Sequence, residues 1–516
     1  MKSPARILAF LFLLFASATA GAQGKISIDN VYTITLRNSG TIIEGDEIKG
    51  YYLFYQSDKI DKRTNEYTLR IIDGNLNVVK DIKFADSKEL ELREAAYNGQ
   101  SLMFAFYDSK EKMFSYRVYG FDGKQTFNYT KVLDRRTNNL IKYYDRYQND
   151  EEGENKNLFD VEGKGFISII PVREGSSYTY QVNYYGTSQR KQWTFDPVED
   201  KWYAYAEYIG TNGNTAFIEV FKTGSMLKGN TEAWIVALDV ETGRKKFEIK
   251  TEAEYKFLPL NVVEDGNLSA TLVVGMYYAP DAYITKAKPI GVAAWTFDDK
   301  GKIISKKYNS WEKDFSKFVK TDAKGKIKDI GYVYFHEVLK ASNGKYYAIG
   351  EGFNKADEGA GMAMVILSGD TRVPGKIKTT DMLLVEFDEN FMVSNVNIYD
   401  KHENYSLIPN AAALTPHMIA IMMKYTYGGF DFSYLQSDKT KSNFVVGYTS
   451  YKKTKGIEDF SFNTISYYNN QITTDKINLE TKATRLRIMP AKLGSVLIME
   501  YFKKEKRLEL RLEKIN

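Results

Sequence analysis

Short apolar runs recur along the chain, and a few polar residues separate the two runs of each pair. The clearest example is "DMLLVEFDENFMVSNVNIYD" at 381–400, where an apolar run ends in an Asp, a polar break follows and alternating residues lead away. Two strand-like runs around a tight break are typical of a β-hairpin. Similar segments lie at 66–84, 113–133, 232–250 and 291–309, with looser copies at 178–195 and 463–479. The pattern therefore predicts a hairpin that recurs along the chain.

The polar breaks have the chemistry of turns. In five copies an Asp ends the first strand, and its side chain can accept a hydrogen bond from the backbone N–H two residues further on. A Gly follows in four of them and permits the positive φ that short hairpin loops need. The residues are Asp73, Asp122, Asp239, Asp298 and Asp388, with Gly74, Gly123, Gly243 and Gly301. Turn formation accounts for all five Asp residues, so we do not interpret them as calcium ligands or catalytic acids.

A further apolar strand precedes most hairpins, and a fourth often lies upstream, as at 90–97 and 98–108 before the hairpin at 113–133. Four sequential antiparallel strands in a recurring unit are typical of a β-propeller blade. The units lie near 50–86, 100–133, 163–197, 215–252, 267–311, 345–401, 443–481 and 484–516. We predict an all-β fold, a β-propeller of about eight four-stranded blades. A seven-bladed ring and two β-sandwich domains are the alternatives.

The two ends of the chain are expected to complete one ring. The last unit, 484–516, has three strands, and the strand at 25–36 is available to pair with it, which would remove exposed sheet edges. The 39 Tyr and 30 Phe favour strands over helices. No Ser/Thr/Pro-rich tract indicates a linker, so we predict a single domain over 23–516.

The first residues are typical of a secretory signal peptide over 1–22. Lys2 and Arg6 supply positive charge, an apolar core follows at 7–20, and small residues end at Ala22. The core is too short to span a bilayer comfortably, and a retained signal anchor is the alternative. No Cys follows the core to carry a lipid. We expect cleavage near Ala22 and a mature chain without a membrane span, in the periplasm or outside the cell.

Charge and residue types argue against several kinds of partner. Removing Lys2 and Arg6 lowers the formal net charge from +5 to about +3, which is too little to indicate nucleic acid or an anionic membrane. The absence of Cys excludes disulfides and thiolate metal sites. The three His, His336, His402 and His417, lack metal-site spacing. We therefore expect neither a metal nor a cofactor.

Loop length is predicted to vary on one rim of the ring. In a propeller of this strand order, the loop from the second to the third strand lies on the same rim as the link to the next blade, and variable loops on a rigid scaffold often carry function. The longest is an insertion at 354–381, which could be a flap over the channel mouth or an extra hairpin or short helix packed on its own blade.

A second departure from the strand pattern lies at 309–326. Asn309 and Glu312 have the spacing of a capping box, and Trp311, Phe315 and Phe318 fall on one helical face. We predict a short helix that covers one end of the ring.

Candidate catalytic residues are few. Glu207 in "YAEYIG" and Glu351 in "GEGF" each interrupt an apolar strand and could point into the central channel, and His336 lies among aromatic residues. The alternative is that both Glu are paired with Lys and that His336 is a hydrogen-bonded structural residue. The chain has no GxSxG nucleophile elbow and no sialidase-type Asp turn. A glycosidase would need two carboxylates that face one sugar.

The signal that ends before Gln23, the "LLVEFDENF" hairpin and "DIGYVYFHEVLKASNGKYYAIGEGF" at 329–353 resemble exported, uncharacterised β-propeller-like proteins of Bacteroidetes-type bacteria. The resemblance implies the fold and the exported location, and no catalytic residue. We expect an exported, non-catalytic binding or scaffold protein whose rim holds a glycan, peptide or envelope partner. The alternative is a polysaccharide-active hydrolase or lyase with carboxylates in the channel.

Overall fold

A computed structural model describes most of the chain. The described residues are 24–515, without 45–46, 146–156, 175–176, 188–190, 198–202, 225–230, 264–268, 285–286, 323–324, 357–373, 410, 412–413 and 455–456. The predicted signal peptide at 1–22 therefore lies outside them, as does most of the predicted insertion at 354–381. No helix in the described part of the chain is long and apolar enough to cross a membrane.

Strands make up nearly all of the regular structure. The first are β1 (Lys25–Ile28), β2 (Thr33–Ile34), β3 (Gly40–Glu44), β4 (Glu47–Lys59), β5 (Thr64–Asp73), β6 (Val78–Ser87), β7 (Leu90–Tyr97), β8 (Ser101–Asp108), β9 (Met113–Gly120), β10 (Gln125–Val132), β11 (Leu158–Val161) and β12 (Gly165–Glu174). Next come β13 (Ser177–Gly186), β14 (Gln192–Phe195), β15 (Tyr203–Asn212), β16 (Thr215–Thr223), β17 (Thr231–Asp239), β18 (Lys245–Lys250), β19 (Lys256–Val263), β20 (Ala270–Tyr278), β21 (Gly291–Asp298), β22 (Ile303–Ser310) and β23 (Tyr332–Lys340). The last are β24 (Tyr346–Lys355), β25 (Pro374–Phe387), β26 (Val393–Tyr399), β27 (Asn404–Pro409), β28 (Phe432–Ser437), β29 (Phe444–Thr454), β30 (Ile457–Tyr468), β31 (Gln471–Asn478), β32 (Arg485–Pro490), β33 (Ser495–Phe502) and β34 (Arg507–Lys514).

These strands form eight antiparallel units, which we number as blades 1 to 8. The blades comprise β2–β6, β7–β10, β11–β14, β15–β18, β19–β22, β23–β27, β28–β31, and β32–β34 with β1. Blades 3 and 4 touch through one parallel pair, Tyr178 with Tyr203. In blade 8, β1 pairs antiparallel with β34, with Lys25 opposite Arg511. The prediction of an all-β propeller of about eight four-stranded blades is confirmed, and blades 1 and 6 each carry a fifth strand, β3 and β27.

Apolar packing between successive blades holds the ring together. The described residues form eight apolar clusters of this kind, each of which joins two neighbouring blades, and one of them joins blade 8 to blade 1. In that last cluster Tyr51 and Leu53 of β4 pack with Met499 and Leu510 of blade 8. Burial of apolar surface is the main favourable contribution to folding. Every blade therefore depends on both of its neighbours.

The predicted turn chemistry is present at each of the five Asp residues. Asp388 Oδ1, for example, accepts the backbone N–H of Asn390 at 3.0 Å and of Met392 at 2.7 Å. The other four Asp side chains accept backbone N–H groups of the same turns. Their interpretation as turn formers is confirmed.

The two rims of the ring differ in loop length. Within each blade the first strand begins, and the second strand ends, on one rim, which we call the long-loop rim. This rim carries the described helices α1 (Arg135–Asp145) and α2 (Pro416–Met422), the 3-10 turn Phe315–Lys317, and a π-helical turn at Met423–Tyr427 that continues α2. A second 3-10 turn, Leu36–Asn38, lies between β2 and β3, within the first strand of blade 1. On the opposite, short-turn rim, the connections span at most six residues, as between β19 and β20.

The predicted helix at 309–326 is wrong. Asn309 does not cap a helix but lies near the end of β22, where its Nδ2 donates to the carbonyl of Phe391 at 2.8 Å and its Oδ1 accepts the N–H of Val393 at 2.8 Å. Only the 3-10 turn forms, with Trp311 and Phe315 buried and Phe318 exposed. The apolar spacing suited a helix, but contacts with blade 6 fix an irregular link instead.

Candidate functional site

Two of the predicted catalytic residues, Glu351 and His336, lie together. Nε2 of His336 is 3.3 Å from Oε2 of Glu351. His336 is an extra residue in β23, because the pairing with β24 shifts register between Phe335 and Glu337. Such a β-bulge redirects a side chain. It places the His336 ring against Phe432, with the two rings stacked at 4.5 Å, where the chain enters blade 7.

Lys401 and Asp431 complete this cluster, which we call the Glu351 cluster. Nζ of Lys401 lies 3.2 Å from Oε1 of Glu351 and 2.6 Å from Oδ2 of Asp431. The Glu351 carboxylate also accepts the backbone N–H groups of Asp431, at 3.0 Å, and Phe432, at 3.1 Å. The side chains of Lys401 and Glu351 are 0% exposed, and that of Asp431 is 7% exposed.

The charges in this cluster compensate one another. Burial would raise the pKa of Glu351, but Lys401 and His336 hold it below its usual value. Burial would lower the pKa of Lys401, and the two carboxylates raise it instead. Burial and Glu351 raise the pKa of Asp431 to about 6, although Lys401 acts in the opposite direction. At neutral pH the cluster therefore holds a charged lysine between two carboxylates.

The Glu351 cluster connects blade 6 to the start of blade 7. Its members come from β23, β24, the connection between β26 and β27, and the residue that precedes β28. Glu351 fixes the backbone at the point where blade 7 begins. These side chains are buried and paired with one another. The pairing of Glu351 with Lys401 is the alternative that the sequence offered, and a catalytic role for Glu351 or His336 stays an untested prediction.

Glu207 lies elsewhere, in the first strand of blade 4, and is half-buried. In the pairing of β15 with β16 it is directly opposite Glu219, which is 6% exposed. Residues paired in this way point to the same face of the sheet, with Cβ atoms about 4.5–5.5 Å apart. Oε1 of Glu219 has no hydrogen-bond partner among the described residues. We call Glu207 and Glu219 the carboxyl pair.

This pair retains protons more strongly than ordinary carboxyl groups do. Burial and the nearby Glu207 raise the pKa of Glu219 well above its usual value. Burial also raises the pKa of Glu207, although Lys424 acts in the opposite direction. Two carboxyl groups this close cannot both ionise easily, so a proton on one of them is favoured. That proton could serve acid–base chemistry or only neutralise the pair.

Lys424 extends towards this pair from the π-helical turn after α2. Its Nζ lies 5.4 Å from the ring centre of Tyr334 on β23. Helix α2 begins where the Thr415 side chain accepts the N–H of Met418, with Pro416 in the first turn, and the π-helical turn ends at Gly428, whose φ is 58°. The helical segment packs on Tyr332, Tyr334 and Ile408 of blade 6.

A small cavity of about 20 Å³ lies between blades 5 and 6 under helix α2. Blade 5 and the link after it contribute Tyr278 and Trp311, and blade 6 contributes Tyr332 and Tyr334. His417 of α2 also lines it, and burial lowers the pKa of His417 to about 4. The cavity lies at the long-loop rim, because β20 ends at Tyr278 and β23 begins at Tyr332.

Metal ligands do not gather in the described part of the chain, where no group of three or more His, Asp or Glu could hold an ion. The acidic run "NDEEGENKN" at 149–157 lies almost entirely outside the described residues.

The sequence missed several residues of these clusters. Glu219 interrupts the apolar strand "TAFIEVF" just as Glu207 and Glu351 interrupt theirs, so the same signal could have identified it. Lys401 lies between β26 and β27, and Asp431 lies just before β28, so both are outside the apolar strand pattern. Their partnership with Glu351 depends on tertiary structure alone.

Among solved structures, similar chains are propellers or contain one. Prolyl oligopeptidase B from Galerina marginata, bound to a 35mer hydrolysis and macrocyclization substrate, is 11% identical with a TM-score of 0.39, and the match covers 90% of this chain and 55% of that one. A post-proline cleaving enzyme from Rickettsia typhi is 10% identical with a TM-score of 0.40, covering 92% and 58%. The chain thus spans just over half the length of these two enzymes.

The WD40 domain of SCAP from fission yeast is 9% identical with a TM-score of 0.36, and the match covers 96% of both chains. No curated protein matches the sequence. The profile of one family, described as a family of unknown function (DUF6770), matches residues 1–516. The chain therefore belongs to this family of unknown function, DUF6770.

Proposed function

We propose that the protein is an exported, non-catalytic binding or scaffold protein whose long-loop rim holds a glycan, peptide or envelope partner. The observation that carries the proposal is the distribution of exposed aromatic side chains. Among the described residues, five of the six lie towards the long-loop rim: Tyr205, Tyr283, Phe318, Tyr405 and Tyr451. The sixth, Tyr468, lies at the short-turn rim. Exposed Tyr and Phe are typical of surfaces that bind partners.

The irregular segments support the same surface. The long-loop rim carries the helices, the long links and the ends of the longest loop, while the short-turn rim carries tight turns. A rigid ring that varies its loops on one side is typical of a scaffold that presents a binding surface. The side chains of Glu351 and Lys401 are fully buried, which leaves them to stabilise the scaffold.

Binding and turnover should be measured together. The mature chain would be applied to a panel of glycans, peptides and envelope fractions, and bound material and released product would both be recorded. We expect binding without product. The triple variant Tyr283→Ser, Phe318→Ser, Tyr405→Ser should bind about tenfold more weakly, because it removes aromatic contacts.

Tyr468→Ser is the matched control, since Tyr468 is 59% exposed on the opposite rim. It should bind like the unaltered chain. Equal binding by the triple variant would contradict the proposal that this rim is the binding surface. Product formation would contradict the non-catalytic role.

Export has its own test. The full chain would be expressed in a Gram-negative host, the cells fractionated, and the N-terminus of the mature protein determined by mass spectrometry. The proposal expects a protein that begins near Gln23 in the periplasm or medium. An uncleaved chain in the membrane fraction would favour the signal anchor instead.

The carboxyl pair favours a second candidate, a polysaccharide-active hydrolase or lyase. Glycosidases use two carboxyl groups, one of which keeps a raised pKa and donates a proton. The buried Glu219 would then act through the half-buried Glu207. The test is release of reducing sugar from polysaccharides by the unaltered chain and by Glu207→Gln. Product that disappears in Glu207→Gln would support this candidate, and product that persists would reject the pair as its catalyst.

A further inference from the structure

Two polar side chains that line the cavity under α2 are buried. Tyr278, which ends β20, is 0% exposed, and Trp311, which directly follows β22, is 2% exposed. Neither Oη of Tyr278 nor Nε1 of Trp311 has a hydrogen-bond partner among the described residues. A buried polar group without a partner destabilises the fold. Both groups can donate a hydrogen bond, so they favour an occupant that accepts two.

A third side chain of the cavity, that of His417, can accept a hydrogen bond. His417 lies on the roof of the cavity, and its low pKa leaves the imidazole neutral at physiological pH. A neutral imidazole carries one nitrogen that accepts a hydrogen bond. An occupant that fits all three groups therefore accepts two hydrogen bonds and donates one. A hydroxyl group has this combination.

The residues that line the cavity and its volume limit which occupant fits. No residue that lines it carries a formal charge at neutral pH, and Tyr332, Tyr334 and Phe353 supply aromatic surface. The cavity, of about 20 Å³, is large enough for one oxygen but not for a sugar ring. A larger ligand would thus insert one group and leave the rest at the opening.

We propose that this cavity is a socket for one hydroxyl group of an uncharged glycan, which accepts hydrogen bonds from Trp311 and Tyr278 and donates one to His417. The inference rests on the proposed function of the rim and makes it more specific, because it names a neutral glycan as the ligand. The aromatic residues around the socket would contact the sugar face.

The test uses the indole 15N–1H resonance of Trp311 in the full mature chain. Glycerol serves as the probe because it is a small neutral polyol, and acetate serves as a charged molecule of similar size. Glycerol should shift the Trp311 resonance, and acetate should not. The resonance of Trp295, which is fully buried but does not line the cavity, should not move in either titration.

Two matched variants identify the contact. Tyr278→Phe removes one hydroxyl from the socket and should raise the glycerol concentration needed for half the shift about tenfold, which corresponds to about 1.4 kcal/mol. Tyr308→Phe removes a buried hydroxyl outside the cavity and should leave that concentration unchanged. Circular dichroism confirms that both variants fold. If both variants change the glycerol concentration for half the shift by the same factor, the proposed socket is wrong.

An immobile Trp311 resonance in glycerol would also overturn the proposal, because the cavity would then hold only a trapped water. So would an equal shift in acetate. Glycerol could leave the Trp311 resonance unmoved while a glycan from the panel binds the unaltered chain and Tyr278→Phe equally. In that case the proposed socket is wrong and the proposed binding function is retained. If glycerol shifts the Trp311 resonance but no member of the panel binds the chain, the proposed binding function is wrong. The cavity is then a site for small polyols and not for glycans.

Discussion

Glu351 and Glu219 occupy comparable positions, since each interrupts the apolar second strand of a blade and each is almost fully buried. Their surroundings are opposite. Glu351 faces Lys401, His336 and two backbone N–H groups, which lower its pKa. Glu219 faces another carboxyl group, and its pKa rises. A buried carboxyl group can thus be accommodated by opposite charge or by keeping its proton, and only the first arrangement binds the blades together through charge.

The largest expected effect follows from removing the central cation. Lys401→Met leaves Glu351 and Asp431 buried without their shared partner, so the free energy of unfolding at pH 7 should fall by about 3–5 kcal/mol. Urea-induced unfolding measures this. The matched control is Lys83→Met, which breaks an exposed ion pair with Glu66 and should change stability by less than about 1 kcal/mol. Similar losses of stability in the two variants would contradict the proposed contribution of the Glu351 cluster to stability.

A smaller effect is expected for Glu351→Gln. The amide keeps the size of the side chain but loses the charge that Lys401 and the N–H groups of blade 7 require. The unfolding free energy should fall by about 1–3 kcal/mol. Amide hydrogen exchange should increase first at Asp431 and Phe432, because these donors lose a charged acceptor. Faster exchange spread evenly over all blades would contradict a local effect of Glu351 on the start of blade 7.

The smallest effect is expected for Glu219→Gln. The raised pKa of Glu219 favours the protonated side chain in the folded protein, so a neutral amide should change stability by less than about 1 kcal/mol. A loss as large as that of Lys401→Met would mean that Glu219 is ionised and paired.

The pH dependence separates the two residues by sign. Glu219 has a raised folded pKa, so its contribution is fully present below the usual Glu value of 4.5 and is lost as the pH rises through the folded pKa. Glu351 has a lowered folded pKa, so its contribution is present above 4.5 and is lost as the pH falls through the folded pKa. Unfolding free energies of the unaltered chain and of Glu219→Gln and Glu351→Gln, measured over acid and neutral pH, should diverge in these two windows.

The blade pattern could be predicted from the sequence because it is local. Each hairpin needs an apolar run, a turn former such as Asp388 and a second run, and all three lie within about twenty residues. Eight such units in order determine the ring. The same reasoning failed at 309–326, where a helical apolar spacing forms only a 3-10 turn because Asn309 bonds to the next blade.

The partners of the charged residues could not be predicted, for two physical reasons. Glu351 meets Lys401 from the connection between β26 and β27, and it meets Asp431 only where the chain enters blade 7. Glu207 meets Glu219 because β15 has a bulge between Tyr208 and Gly210. Without that irregularity, the turn pair Asn212 with Thr215 would place Val220 opposite Glu207. A shift of one residue exchanges the two faces of a strand.

The most direct test of this contrast is infrared difference spectroscopy at pH 7. The unaltered chain should show the carbonyl stretch of a protonated carboxylic acid, because burial and the nearby Glu207 raise the pKa of Glu219 well above its usual value. The account predicts that Glu219→Gln removes this band and that Glu351→Gln leaves it in place. A spectrum without the band, or a band that disappears only in Glu351→Gln, would contradict the assignment of opposite roles to these two buried residues.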